Sequence, residues 1–124
     1  MCLDFRLLNS VTEKFSFPMP DMQLLLDCLS KSKIFSSIDL GQAYYQVELH
    51  ENSQIKTAFS TKEDQFCFNR LPFGLSTAPA TFQTLMHKIL QGLIFKEVVV
   101  YLDDILIYAE NQETHDQLLL EVFT

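Results

Sequence analysis

Cysteine is scarce and poorly placed for either of its structural uses. The 124 residues hold three, Cys2, Cys28 and Cys67, an odd number at wide spacings with no C-x-x-C pair. Such spacing supports neither a disulfide framework nor a structural zinc site, and fits incidental thiols in a reducing compartment. Glycine and proline are almost as rare, at three and four. No linker or low-complexity tract can be built from them, and each stands at an apparent element boundary. Long apolar runs are missing too. Val98–Leu102 is as long as any, far short of the roughly 20 residues that cross a bilayer. The opening Met1-Cys2-Leu3-Asp4-Phe5-Arg6 carries charges and no apolar h-region, so no signal peptide is expected. An intracellular protein with no membrane segment is expected.

Positive charge is in short supply as well. Nine Lys and Arg against 16 Asp and Glu leave a formal charge of −7, and the basic residues are scattered from Arg6 to Lys96 without a run. Charge alone argues against a free-standing nucleic-acid binder, because phosphate neutralisation supplies most of such a protein's affinity. What the chain does have is apolar bulk, with 48% hydrophobic residues and 11 Phe. That excludes a disordered tail and is enough for the core of one domain.

Apolar spacing places the elements. Met22, Leu25, Leu26 and Leu29 recur at helical intervals, so a helix is expected over 21–29, with Pro20 suited to its start. Lys33–Leu40 reads as a strand, followed by a short turn through Gly41-Gln42-Ala43. Tyr45–Leu49, Ile55–Ser60 and Gln65–Leu71 read as further strands, the last two joined by a polar loop, Thr61–Asp64. Leu71-Pro72-Phe73-Gly74 is a turn. Ser76 or Thr77 can cap the next helix, which has Pro79 in its first turn. Phe82, Leu85, Met86, Ile89, Leu90 and Leu93 form that helix's apolar stripe, and Gly92 weakens or ends it. Val98–Leu102 and Ile105–Tyr108 are two apolar strands with Asp103 and Asp104 between them, which is hairpin spacing. A last helix begins near Thr114. The expected fold is α+β, an antiparallel sheet packed on helices.

The hairpin tip is the first feature that asks for chemistry. Two-residue hairpins favour Asn-Gly, Asp-Gly or Gly-X, which tolerate positive φ. Asp103-Asp104 has poor turn chemistry and puts like charges side by side between apolar strands. Repulsion and partial desolvation would raise a pKa or require a cation. Taken alone, such a dipeptide is usually a solvated turn, and a strand-end Asp such as Asp39 is usually a cap. If the strand ending at Asp39 neighbours the hairpin, however, Asp39 and Asp103 could face one another. Carboxylates suit hard cations such as Mg²⁺, and two such ions can clamp the attacking and leaving oxygens of a phosphoryl transfer.

At Tyr101-Leu102-Asp103-Asp104 the chain resembles the Y-x-D-D box of reverse transcriptases, and Leu102 with Ile105-Leu106-Ile107 resembles the gypsy-type LTR retrotransposon branch. Other blocks agree in order: Asp4-Phe5-Arg6-Leu7-Leu8-Asn9, Phe17-Pro18-Met19-Pro20, Phe35-Ser36-Ser37-Ile38-Asp39-Leu40, Lys56-Thr57-Ala58-Phe59, and Leu71-Pro72-Phe73-Gly74 running on to Phe82-Gln83. The resemblance covers essentially the whole chain. It implies a polymerase palm with part of the fingers, one partial domain over 1–124. The thumb, connection and RNase H regions and the upstream basic fingers residues would then lie elsewhere in a Pol polyprotein of a transposable element, with its protease and integrase.

By the same resemblance, Asp39, Asp103 and Asp104 would be the catalytic acids and metal ligands of an RNA-directed DNA polymerase, a nucleotidyltransferase. Asp39 and Asp103 would bridge two Mg²⁺ ions, with Mn²⁺ as the alternative ion, and the Leu40 carbonyl would join the second ion. Tyr44 would be the steric gate against a 2′-hydroxyl, Phe73 and Gly74 would flank the incoming nucleotide, and Tyr101 and Leu102 would lie at the primer end. The partners would be a primed RNA or DNA template and dNTP, with no membrane. The 124-residue piece is expected to turn over weakly or not at all. A departure from the family is the loop Thr61–Gln65, which lacks the glycine common there. The competing reading is an inactive or co-opted palm remnant that acts as an interaction module. An RNA-recognition or Ca²⁺ module finds neither an RNP pattern nor an EF-hand loop.

Overall fold

A computed structural model describes residues 2–18, 21–94 and 96–124. In chain order they form α1 (Arg6–Val11), α2 (Met22–Leu29), β1 (Ile34–Asp39), α3 (Glu51–Gln54), β2 (Phe59–Ser60), β3 (Gln65–Phe66), α4 (Ala78–Ile89), β4 (Val98–Tyr101), β5 (Asp104–Ala109) and α5 (Gln112–Phe123). Single 3₁₀ turns lie at Ala43–Gln46 and Ile55–Thr57. The chain divides into two compact units: Met1–Ser16 with Gln42–Phe82, and Phe17–Gly41 with Gln83–Thr124.

The second unit is built on a three-stranded antiparallel sheet of order β1-β5-β4. Val98 and Ile107 are wholly buried, and Val99, Val100, Ile105, Tyr108 and Ala109 nearly so. β4 and β5 are therefore covered on both faces, which is why their apolar residues run on without alternation. β1 is an edge strand and does alternate. Phe35, Ser37 and Asp39 are exposed, and Ile34, Ser36 and Ile38 are half-buried. Asp21 caps α2 by accepting the Gln23 N–H (3.0 Å), and Asn111 caps α5 by accepting the Thr114 N–H (2.9 Å). The expected role of Pro20 at the start of α2 lies outside the described residues. Two predicted stripes are trimmed: Met22, Leu26 and Ile89 are exposed, while Phe82, Met86 and Leu90, four apart along and just past α4, are buried.

The first unit departs most from the pattern-based expectation. Tyr45–Leu49 does not form a strand, because Tyr44 and Tyr45 both bring their rings to Phe73, at 4.9 and 5.2 Å between centroids. Consecutive strand residues point to opposite faces. Only a tight turn, entered through Gln42 at φ 53, lets both rings reach one partner. Ile55–Ser60 is likewise mostly a turn. Thr57, 1% exposed, donates its hydroxyl to the Gln54 carbonyl (2.6 Å) and accepts the Phe68 N–H (2.9 Å). These side-chain bonds compete with the ladder, leaving Phe59–Ser60 against Gln65–Phe66 as the one strand pair among the described residues of this unit. The rest of Gln65–Leu71 contributes one bridge, Glu48 to Arg70. The loop Thr61–Asp64 closes without glycine or positive φ, because the Thr61 hydroxyl accepts the N–H groups of Glu63 and Asp64.

Two outcomes follow. Ile107→Ala removes a fully buried side chain and is expected to cost about 2–5 kcal/mol, measured by chemical denaturation. Burial holds the His87 imidazole below its ordinary value of 6.5, and its ring lies 4.6 Å from that of Phe17. The unfolded chain therefore takes up the proton first. Stability from this group is present above pH 6.5 and is lost as pH falls through the lower folded value. Melting temperature is expected to drop from pH 7.5 to pH 5, and less so in His87→Gln.

Candidate functional site

The second unit brings the separated acids together through its register. β1 and β5 pair antiparallel with Asp39 opposite Asp104, and the ladder continues one step as the Leu40 N–H donates to the Asp103 carbonyl (3.1 Å). β4 and β5 pair with Tyr101 opposite Asp104. The two residues at the hairpin tip are therefore Leu102 and Asp103, one position earlier than the expected Asp103-Asp104. The shift puts Leu102, not an aspartate, at positive φ (53°). A left-handed backbone costs a non-glycine residue about 1–2 kcal/mol, so other contacts must hold it.

Residues directly opposite in an antiparallel pair share a face, so Asp39 and Asp104 present like charges side by side, both exposed. None of the three acids forms an ion pair with Lys or Arg among the described residues. Asp103 Oδ1 is buried with no hydrogen-bond partner, a state that ordinarily costs free energy. A facing carboxylate pair and an unpartnered carboxylate oxygen fit a hard divalent cation. Among the described residues no three acidic, His or Cys side chains stand ready to enclose an ion by themselves. That arrangement is still compatible with Mg²⁺, which keeps waters and takes one or two carboxylates plus substrate phosphates.

The remaining candidates of this unit, Leu40, Tyr101 and Leu102, adjoin the acids along the chain, and Tyr101 is exposed. Tyr44, Phe73 and Gly74 lie in the first unit. Tyr44 is half-buried, in ring contact with Phe73 and with Phe82 (5.7 Å), and Phe73 is 44% exposed. Gly74 sits at φ 97, and a Cβ there would meet the Phe5 ring at 3.4 Å. Asn9 holds this turn: its Nδ2 donates to the Gly74 carbonyl and its Oδ1 accepts the Ser76 N–H, both at 2.8 Å. Pattern analysis found the loop but no role for Asn9.

A family model for reverse transcriptase (RNA-dependent DNA polymerase) matches residues 1–124. The chain belongs to the reverse transcriptase family, RNA-directed DNA polymerases. It is 43% identical over 122 residues to the retrovirus-related Pol polyprotein from transposon 297 of Drosophila melanogaster, covering 98% of this chain and 12% of that protein. It is 39% identical over 115 residues to the corresponding polyprotein from transposon gypsy of the same fly, covering 93% and 11%. Among solved structures it is similar to the foamy viral protease-reverse transcriptase in complex with an RNA/DNA hybrid, with a TM-score of 0.85 at 29% identity, over 98% of this chain and 16% of that one. The chain thus spans about an eighth of the length of those transposon relatives. Among the described residues no helix is long and apolar enough to cross a membrane.

Relief of the Asp39–Asp104 repulsion gives a test. Asp39→Asn is expected to stabilise the ion-free chain by roughly 0.2–1 kcal/mol. Millimolar Mg²⁺ is expected to raise the melting temperature of the native chain and not of the variant, as read by thermal melts with and without MgCl₂.

Proposed function

We propose that this chain carries the catalytic acids of a retrotransposon reverse transcriptase that extends a primer 3′-hydroxyl with deoxynucleotides on an RNA or DNA template. The observation that carries this reading is the register pairing Asp39 with Asp104 beside the unpartnered Oδ1 of Asp103. In it, Asp39 and Asp103, with the Leu40 carbonyl, would hold two Mg²⁺ ions, and Asp104 adds negative charge without closing the site. Bound there, such ions would supply Lewis acidity toward the primer hydroxyl and neutralise charge on the triphosphate. The chain's own groups do the positioning. Tyr101 and Leu102 meet the primer end. The Tyr44 ring, backed by Phe73 and Phe82, excludes a 2′-hydroxyl. Gly74 keeps its turn free of a side chain where the nucleotide approaches. Template duplex and dNTP are the partners, with the rest of the Pol polyprotein supplying thumb, connection and RNase H.

A second reading, an inactive remnant used as an interaction module, draws on exposed apolar side chains such as Leu7, Val11, Leu120 and Phe123. One experiment separates the two. The corresponding segment of the transposon 297 enzyme is replaced by this chain and primer extension is assayed on a homopolymer template with Mg²⁺. Extension is expected in the chimera. Asp103→Asn is expected to reduce it roughly a thousandfold, the equivalent of losing about 4 kcal/mol of charge stabilisation. A chimera that folds and does not extend, or an Asp103→Asn chimera as fast as its parent, overturns the polymerase reading in favour of the remnant.

A further inference from the structure

The hairpin tip is held from outside the sheet. β4 is an edge strand, so alternate carbonyl and N–H groups along it have no strand to pair with. Near the tip those groups are the Val100 carbonyl and the Leu102 N–H. Both are taken by one side chain: Gln83 donates from Nε2 to the Val100 carbonyl (2.9 Å) and accepts the Leu102 N–H at Oε1 (3.2 Å). A carbonyl at one residue and an N–H two residues on are what a neighbouring strand residue would bond, so the amide stands where a fourth strand would begin. Its orientation is forced, because Val100 offers only an acceptor and Leu102 only a donor. Gln83 is 3% exposed. Its Nε2 also lies 3.3 Å from His87 Nε2, which takes the second amide hydrogen in the imidazole tautomer that carries its proton on Nδ1.

We infer that Gln83 is a positioning residue for nucleotidyl transfer: its amide locks Leu102 into the left-handed turn and so fixes where Asp103 and Asp104 leave the hairpin. This rests on the reading of the acids as the ion-holding site. Without the amide, two backbone groups lose their partners, and nothing else bonded to the Leu102 N–H opposes relaxation of its φ to negative values. Relaxation turns the following peptide and moves the Asp103 carboxylate with it.

The test uses Gln83→Met, which keeps side-chain length and removes both hydrogen bonds, beside Leu118→Ala, which destabilises the same unit from α5. Amide hydrogen exchange by NMR and Mn²⁺ affinity by titration are read in each. In the native chain the Leu102 amide is expected to exchange at least about tenfold more slowly than an unstructured amide. In Gln83→Met that protection is lost, while the β5 amides change no more than they do in Leu118→Ala. The Mn²⁺ dissociation constant rises about 10–100-fold in Gln83→Met and stays at the native value in folded Leu118→Ala. Gln83→Glu keeps the acceptor for Leu102 and loses the donor for Val100, and is expected to fall between native and Gln83→Met.

A folded Gln83→Met with native Mn²⁺ affinity overturns the inference. So does free exchange at Leu102 in the native chain, whether or not the variants fold. If Asp103→Asn binds Mn²⁺ as tightly as native, the ion-site reading fails instead, and the exchange data still decide whether Gln83 holds the turn.

Discussion

The acids meet because β5 has one acceptable register. Ile107 is wholly buried and Ile105 nearly so, with Asp104 exposed at the strand's first position. A slip of one residue against β1 would turn every side chain to the other face. On β1, the strand with one exposed face, it would turn Ile34 and Ile38 outward, losing part of the roughly 1.5–3 kcal/mol that full burial gives each, and turn Asp39 inward at greater cost. Against that, the repulsion between Asp39 and Asp104 is small, of the order of 0.2–1 kcal/mol for a like-charged cross-strand pair. Hydrophobic burial therefore sets the pairing, and the unfavourable charge pair is carried along. A site that must hold cations needs such an arrangement, with carboxylates gathered by forces that do not depend on the ion.

The same forces decide what could be read in advance. β1, β4, β5, α2 and α5 were readable because each has enough periodic or continuous apolar sequence to fix its type. Asp39 could be placed at a strand end, but its partner across the ladder could not, since register belongs to the pair of strands. The hairpin tip reads one residue late for a related reason: Leu102 prolongs the apolar run of β4, so hydropathy counts it in the strand. The pairing of Tyr101 with Asp104, which puts Leu102 in the turn, is set by the buried strands behind it. The family resemblance groups Asp39, Asp103 and Asp104 without supplying that geometry.

The stretch from Tyr44 to Leu71 resisted pattern analysis because its order comes from aromatic rings and hydroxyls. Phe5, Phe68, Tyr45, Phe73, Tyr44 and Phe82 make successive ring contacts between 4.9 and 6.4 Å. Such contacts are non-periodic, and a Tyr-Tyr pair looks equally at home in a strand or a turn. α1 and α3, six and four residues long, fall below the window in which helical periodicity can be seen at all.

Asn9 and Gln83 show what replaces the ladder where the chain must leave regular structure. Each amide accepts an N–H and donates to the carbonyl two residues earlier, Ser76 and Gly74 for Asn9, Leu102 and Val100 for Gln83. Each bracket includes a positive-φ residue, Gly74 in one and Leu102 in the other. A hydroxyl can do part of this work, as Thr57 does between Gln54 and Phe68, but through a single atom. An amide offers donor and acceptor on a rigid plane, so it fixes the peptide orientation between its two contacts. The glycine turn needs that hold because glycine has the most freedom to lose, and the leucine turn needs it because its backbone is strained. Both turns adjoin the residues proposed to meet substrate, which makes a side-chain amide bonded through both its oxygen and its nitrogen the structural sign to seek where hydropathy patterns are silent.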